Sequence, residues 1–229
     1  MSQTLLKVSS VTKKVFMSLA GLFLITFLVV HLSINIFILP ITDNHVEIFK
    51  AAVEFMTTFP LIKVMEVVLF TAFILHIIFG LVLQIENWIA RPVGYAVTTK
   101  SKTDSPFSRF TIHTGIIIFI FLIIHFMNFY FVKLGWTNPP MGANSVEDKH
   151  DFYNMALNVF NNPVYSILYI VLILGLGFHL HHAFQAAFQS LGLNHPKYTP
   201  WIKGIGLIYS IVITVGFISI PLYFLINYK

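Results

Sequence analysis

The sequence predicts an all-α membrane protein, a single domain over residues 1–229 built as a bundle of five transmembrane helices. Hydrophobic residues make up 57% of the chain and charged residues only 10%, whereas a soluble domain carries about 25% charged residues. Five apolar stretches are each long enough for the roughly 20 helical residues that cross a bilayer core. Helix is the expected state, because an open strand would leave backbone groups unpaired in lipid.

The five predicted helices follow one another along the chain and are separated by more polar connections. Their expected bounds are 14–39, 61–86, 108–133, 163–190 and 202–226. Prolines near many of these ends fit helix termini, whereas Pro221 lies inside the last helix. The connections 40–60 and 134–162 each contain an amphipathic stretch. These stretches predict either helices that lie on the membrane face or ordinary capping loops.

The composition excludes several classes of protein. There is no cysteine, which excludes disulfides, thiolate zinc sites, cysteine-ligated iron–sulfur clusters and haem attached covalently through Cys-x-x-Cys-His. The net charge of +5 is dispersed along the chain rather than gathered in a patch, so it indicates membrane flanks and not nucleic-acid binding. The first 14 residues are polar and the following apolar run is too long for a signal peptide. That run is expected to remain as a membrane anchor.

Basic residues are distributed unevenly between the two predicted ends of the bundle, and cytoplasmic loops carry the excess of such residues in membrane proteins. One end collects nine of the 14 basic residues, namely Lys7, Lys13, Lys14, Arg91, Lys100, Lys102, Arg109, Lys197 and Lys203. The other end collects Lys50, Lys63, Lys133, Lys149 and Lys229. The N-terminus is therefore expected in the cytoplasm and the C-terminus outside.

Histidines are the unusual feature of this apolar chain. The predicted spans contain seven of the ten: His31, His76, His113, His125, His179, His181 and His182. An ionisable side chain within a span is energetically costly and therefore indicates a function. A single one could be a packed residue hydrogen-bonded to a neighbouring helix, but four helices that each carry one make that interpretation weaker.

Depth in the membrane groups four histidines into two pairs. At about 1.5 Å of rise per residue, His31 and His125 lie about 25 Å from the inner ends of their helices, nearer the outer face. His76 lies about 15 Å from the inner boundary, and His179 falls in the same half. Two imidazoles that face each other suit a six-coordinate haem iron, and an iron with both axial positions filled suits electron transfer. The spacing thus predicts two b-type haems, one above the other.

Two glycines share a helical face with a predicted ligand. Gly80 follows His76 by four residues, and Gly175 precedes His179 by four. A missing side chain at these positions either admits a flat macrocycle or allows close packing of helices. Both interpretations stay open at this point.

The other span histidines give weaker indications. His113 lies near the predicted inner surface, where it could meet a haem propionate, a quinone or solvent. His182 follows His179 by three residues and is the rival ligand on that face, whereas His181 points to the opposite side.

Two haems without another redox group need an electron source and an electron sink. The chain has no nucleotide-binding glycine motif, so it is expected to be one subunit of a larger enzyme, with a lipid-soluble quinone as its partner in the membrane.

Four stretches, each containing one of these ligands, occur in order along nearly the whole chain: 27–32, 73–80, 115–125 and 169–179. With them the chain resembles the di-haem cytochrome b subunit of succinate dehydrogenase and fumarate reductase, the type with a single five-helix anchor polypeptide. The resemblance implies a proximal haem held by His76 and His179 and a distal haem held by His31 and His125. It places Ser18 close to the proximal haem.

The resemblance also implies the surroundings of this subunit. A flavoprotein subunit with FAD would oxidise succinate, and an iron–sulfur subunit would dock on the inner face. The chain would be the quinone-reactive part of this respiratory-chain and tricarboxylic-acid-cycle enzyme, with menaquinone as the usual acceptor. It would lie in a bacterial cytoplasmic membrane, in contact with lipid, and could belong to a higher oligomer of the complex.

One position departs from the family pattern. Some members carry a glutamate two residues before the helix-4 ligand, proposed to move protons, where this chain has Gly177. Three interpretations of Glu66 stay open: it substitutes for that glutamate in proton transfer, it is an acid of the quinone site, or it is a surface carboxylate. Two alternative functions remain: the cytochrome b anchor of a formate dehydrogenase or hydrogenase, and a haem-free proton-coupled transporter with a histidine relay.

Overall fold

The computed structural model describes residues 8–90, 111–146 and 148–227, and this part of the chain is helical without any strand. Its helices are α1 Ser10–Asn35, α2 His45–Thr58, α3 Pro60–Ala90, α4 Thr111–His125, α5 Phe131–Lys133, α6 Phe152–Phe160, α7 Pro163–Ser190 and α8 Thr199–Ile226. A short 3₁₀ turn, Ile36–Ile38, follows α1. A π-helical segment, Phe126–Tyr130, joins α4 to α5.

Five of the described segments are long and apolar enough to cross a membrane, as the sequence predicts. They are Ser10–Ile38, Pro60–Ala90, Thr111–Lys133, Pro163–Ser190 and Thr199–Ile226. The predicted bounds of the fourth helix, 163–190, agree with α7 at both ends. α1 begins four residues before the predicted start, and α3 continues four residues past the predicted end. The chain is thus a multi-pass membrane protein.

Several residues on which the sequence predictions depend lie outside the described residues. The predicted start of the third helix at 108 lies there. So do six of the basic residues used for the orientation: Lys7, Arg91, Lys100, Lys102, Arg109 and Lys229. Lys13 is described, and it is not a surface charge. Its side chain is fully buried and forms an ion pair with Glu86, which joins α1 to α3.

Local sequence explains where the best-predicted helix begins. The side chain of Asn162 accepts a hydrogen bond from the backbone N–H of Val164 at 3.0 Å. Pro163 follows in the first helical position, where its missing N–H costs nothing. Together they fix the start of α7. This helix packs along α8 and also contacts α1 and α4, whereas α3 packs mainly along α1.

Both amphipathic connections contain a helix, α2 and α6, so the helical interpretation is confirmed over the ordinary loop. These two helices, called the cap, pack on the end of the bundle where α1 ends and α7 begins. Their apolar faces are buried through Phe49 of α2 and through Val159 and Phe160 of α6. They join a core cluster with residues of the bundle such as Ile173 and Ile220. The opposite end of the bundle, where α1 begins, is called the N-terminal face.

The sequence predicts one regular helix for the third span, but the structure departs from this prediction. After His125 the backbone takes a π-helical course over Phe126–Tyr130 and then resumes as α5. A π segment inserts an extra residue and so changes which side chains share a face; such segments occur often at functional sites. Here Asn128 contacts α7, and Tyr130 contacts α3.

Candidate functional site

A cavity of about 890 Å³ extends through the interior of the bundle. Its wall is mostly apolar, and all four predicted ligands lie in it: His31, His76, His125 and His179. Ligand pockets typically measure about 300–1,000 Å³, so this cavity lies at the large end. The structure thus brings the four histidines to one internal space.

His76 of α3 and His179 of α7 face each other across the cavity and are called the N-side pair. Their ring centroids are 6.3 Å apart, and the ring planes make an angle of 79°. The pair that was predicted from depth is therefore an actual pair in space. The ring of His182, the rival ligand, lies 5.3 Å from that of His179.

Hydrogen bonds hold both rings of the N-side pair in the form that a metal ligand needs. His76 Nδ1 lies 3.2 Å from the carbonyl oxygen of Met17, which can only accept. His179 Nδ1 lies 3.2 Å from Thr114 Oγ1, whose own hydrogen is donated to the carbonyl of Thr111 at 3.0 Å. The Met17 carbonyl requires hydrogen on Nδ1 of His76, and Thr114 accepts from Nδ1 of His179 when its own hydrogen is directed to Thr111; in this arrangement Nε2 of each ring is the ligand atom.

His31 of α1 and His125 at the end of α4 form the second pair, called the cap-side pair. Their ring centroids are 5.8 Å apart and the planes are nearly perpendicular, at 88°. The ring of Phe27 stacks on His31 at 5.2 Å, and Phe217 approaches it at 5.5 Å. This pair therefore lies among aromatic rings.

The polar contacts of the cap-side pair differ from those of the N-side pair. Asn35 Nδ2 donates to the carbonyl of His31 at 2.7 Å and lies 3.3 Å from its Nδ1. His125 Nδ1 is buried and has no hydrogen-bond partner within the described part of the chain. Among the described residues, no carbonyl or hydroxyl oxygen accepts from the ring nitrogens of these two histidines. The two pairs thus offer two electrostatically different environments.

The two pairs lie at different levels of the bundle. Gly21 of α1 is at the level of the N-side pair, because a Cβ atom there would lie 3.3 Å from the ring of His76. His31 follows Gly21 by ten residues on the same helix. At about 1.5 Å per residue the pairs are therefore separated by roughly 15 Å along the helix axis. The two histidine pairs therefore lie at two levels of this cavity.

The donor set fits a haem better than a bare metal ion. Within residues 8–90, 111–146 and 148–227 no three or more His, Asp or Glu side chains group around one point, whereas a haem needs only two axial ligands from the protein. Two imidazole nitrogens at about 2 Å from a shared metal would hold opposed ring centroids roughly 6 Å apart. Both observed separations agree with that spacing.

Ser18 Oγ is buried in the cavity wall near Met17 and lacks a hydrogen-bond partner among the described residues. It is therefore available to a polar group of a ligand.

The two predicted glycines have different surroundings in the structure. A Cβ at Gly80 would find its nearest neighbour, Met17 Sδ, 4.0 Å away, so Gly80 borders open space in the cavity. A Cβ at Gly175 would come within 2.8 Å of Ile117 Cγ2. Gly175 therefore serves the close packing of α7 on α4. Sequence reasoning missed Gly21, which adjoins His76, because the apolar run of α1 gives no sign of which face meets α3.

The remaining candidates lie in different places. His182 is buried and lines the cavity beside His179, whereas His113 does not line it. Gly177, the departure from the family pattern, packs directly against Thr214 of α8 and leaves no space for a larger side chain.

Glu66 belongs to a polar cluster in the cavity wall toward the cap. Its Oε1 accepts a hydrogen bond from the hydroxyl of Tyr130 at 2.6 Å. Lys133 Nζ donates to both carboxylate oxygens, at 2.9 and 3.1 Å. All three side chains line the cavity. Glu66 is therefore part of the cavity wall and not a carboxylate that reaches outward alone.

Comparison with known proteins identifies no relative: no protein-family model, no curated protein and no solved structure matches the chain.

Proposed function

We propose that the chain is the di-haem cytochrome b membrane anchor of a succinate:quinone oxidoreductase. In this proposal one haem b binds between His76 and His179 and a second between His31 and His125. The chain carries electrons between an iron–sulfur subunit and a quinone, most naturally menaquinone, while succinate or fumarate reacts on a flavoprotein subunit with FAD. The observation that carries the proposal is the pair of opposed imidazoles at each of two levels in one cavity.

The chain's own residues have distinct tasks in this proposal. When bound, each haem supplies an iron that changes its charge by one electron without changing its ligands. Met17 and Thr114 hold the N-side imidazoles in the ligating tautomer. Apolar side chains of the five helices and the cap line the cavity and keep water from the metal sites. Ser18 and Gly80 supply, respectively, a free hydroxyl and free space beside the N-side pair.

The topology follows from the same proposal. The N-terminal face is cytoplasmic, the cap lies on the outer side of a bacterial cytoplasmic membrane, and the two partner subunits dock on the N-terminal face. Glu66 with Tyr130 and Lys133 then lies near the outer side, where a carboxylate that lines the cavity is suited to exchange protons with a quinone. The basic residues of the predicted inner loops support this orientation.

Visible spectroscopy of the purified membrane protein tests the haem assignment. Reduced-minus-oxidised spectra are expected to show b-type bands from two centres. A protein without these bands would instead agree with the proton-coupled transporter. Copurification with flavin and iron–sulfur subunits is expected, whereas consistent recovery of a molybdenum or nickel subunit would indicate the anchor of a formate dehydrogenase or hydrogenase.

Single replacements test the pairing. Replacing His31 or His125 by alanine is expected to remove the same centre, and replacing His76 or His179 the other centre. His150→Ala is the matched control, because His150 lies outside the bundle and its side chain contacts Asp148 of the same turn. A protein that keeps both centres after His179→Ala and loses one after His182→Ala would contradict the ligand assignment.

A further inference from the structure

Tyr169 places a phenolic side chain among the aromatic rings around His125, whereas Asn35 contacts His31. Besides His31, the rings that surround His125 belong to Phe121, Phe126, Phe129 and Tyr169. Tyr169 of α7 is only 2% exposed and lines the cavity, with its ring centroid 6.4 Å from that of His125. The ring of Tyr169 therefore packs beside a predicted ligand whose own Nδ1 has no partner in the described chain, and its hydroxyl is buried in the same part of the bundle.

Among the described residues, the hydroxyl of Tyr169 has one hydrogen-bond partner, Asn128. Asn128 Nδ2 donates a hydrogen bond to the phenolic oxygen at 3.0 Å. An amide N–H can only donate, so the oxygen of Tyr169 is the acceptor and its hydroxyl hydrogen is directed elsewhere. A phenol whose oxygen accepts a hydrogen bond becomes a better donor, because successive hydrogen bonds polarise one another.

The π-helical segment explains how Asn128 reaches this position. The segment starts at Phe126, directly after His125, and Asn128 is its central residue. The ligand and the residue that holds Tyr169 therefore belong to one continuous stretch of backbone. Tyr169 precedes His179 by ten residues on α7, which is about 15 Å of helix. The hydroxyl is thus at the level of the cap-side pair and far from the N-side pair.

We propose that Tyr169, oriented by Asn128, donates a hydrogen bond toward the redox group held between His31 and His125 and raises the reduction potential of that centre alone. The inference rests on the proposed function, since it requires a haem at the cap-side pair. The positive end of a hydroxyl dipole favours the reduced state, which carries one positive charge less. In an interior of low dielectric constant this effect is strong. Asn128 acts through Tyr169 and is the positioning residue.

Redox titration of the purified protein with both haems bound tests this inference. Tyr169→Phe is expected to shift the redox equilibrium of the cap-side centre about tenfold toward the oxidised state, which is about 59 mV for a one-electron couple. The N-side centre is expected to keep its potential. Tyr165→Phe is the matched control, because Tyr165 lies one turn earlier on α7 with 38% of its surface exposed; it should leave both potentials unchanged.

A second variant separates orientation from packing. Asn128→Leu is expected to lower the potential of the cap-side centre in the same direction by a smaller amount, and to have no further effect in a Tyr169→Phe background. An equal effect of Asn128→Leu in both backgrounds would overturn the inference, as would loss of the cap-side haem instead of a shift. Unchanged potentials with both haems present would also overturn it and leave the proposed function intact. A wild-type protein without haem would instead refute the proposed function.

Discussion

His179 and Thr114 are joined across the contact of α7 with α4, with 3.2 Å between the imidazole Nδ1 and the hydroxyl Oγ1. When the hydroxyl of Thr114 donates to Thr111, it accepts from His179. Thr114 is only 9% exposed, so water does not readily replace it. One threonine near the start of α4 thereby fixes which nitrogen of His179 faces the cavity.

Thr114→Val keeps the shape of this side chain and removes the acceptor. A buried N–H left unpaired costs about 1–3 kcal/mol, and loss of such an outer partner typically weakens metal binding about 10–100-fold. We expect the N-side haem to be lost first during dilution or detergent washing, as measured by haem content and by the spectrum of each centre. Thr114→Ser should restore retention. Equal retention by the valine variant would contradict the role of Thr114.

Gly21 gives a second test of the N-side pair. A Cβ at this position would lie 3.3 Å from two ring atoms of His76, so the larger side chain of Gly21→Leu must displace the imidazole. We expect loss of the N-side haem with retention of the cap-side haem, as seen in reduced-minus-oxidised spectra. Gly204→Leu is the control, because a Cβ at Gly204 of α8 meets nothing within 4 Å. If both glycine variants keep two haems, Gly21 does not position His76.

Features that depend on adjacent residues could be predicted from the sequence, whereas features that depend on contacts between distant residues could not. The bounds of α7 could be predicted because its start depends on adjacent residues, Asn162 and Pro163. The histidine pairs could be predicted because depth in a helix follows from counting residues. Burial of Lys13 could not be predicted, since it depends on Glu86, which is distant in sequence and near the end of another helix.

The π-helical segment after His125 shows a further limit of sequence reasoning. Its residues are ordinary for an apolar span, and its side chains Asn128 and Tyr130 contact Tyr169 and Glu66, which lie on other helices distant in sequence. The same holds for Gly175, whose sequence position allowed either a haem or a packed helix. Only the distance to Ile117 decides for packing.

The ion pair of Lys13 with Glu86 provides a test of stability. Removing one partner of a buried pair is destabilising by about 3–5 kcal/mol, whereas replacing both by apolar residues is often nearly neutral. Lys13 is fully buried and Glu86 is 12% exposed, so we expect Lys13→Met to lower the thermal unfolding midpoint clearly. The double variant with Glu86→Leu should recover most of the loss. Lys14→Met is the control on the neighbouring exposed lysine, and an equal effect of both lysine variants would contradict the role of the pair.

Asn158 of α6 is expected to hold the loop that precedes the cap helix. Its Oδ1 accepts from the backbone and side-chain nitrogens of Asn144, both at 3.1 Å, and its Nδ2 donates to the carbonyls of Pro140 and Asn144. Asn158→Leu leaves these groups without partners, so we expect a loss of at least about 1 kcal/mol and faster proteolysis near Met141, which is 97% exposed. Mass spectrometry of limited digests measures the effect. Asn161→Leu, at the exposed end of α6, should digest like the wild type; if both variants are cleaved at the same rate, Asn158 does not order this loop.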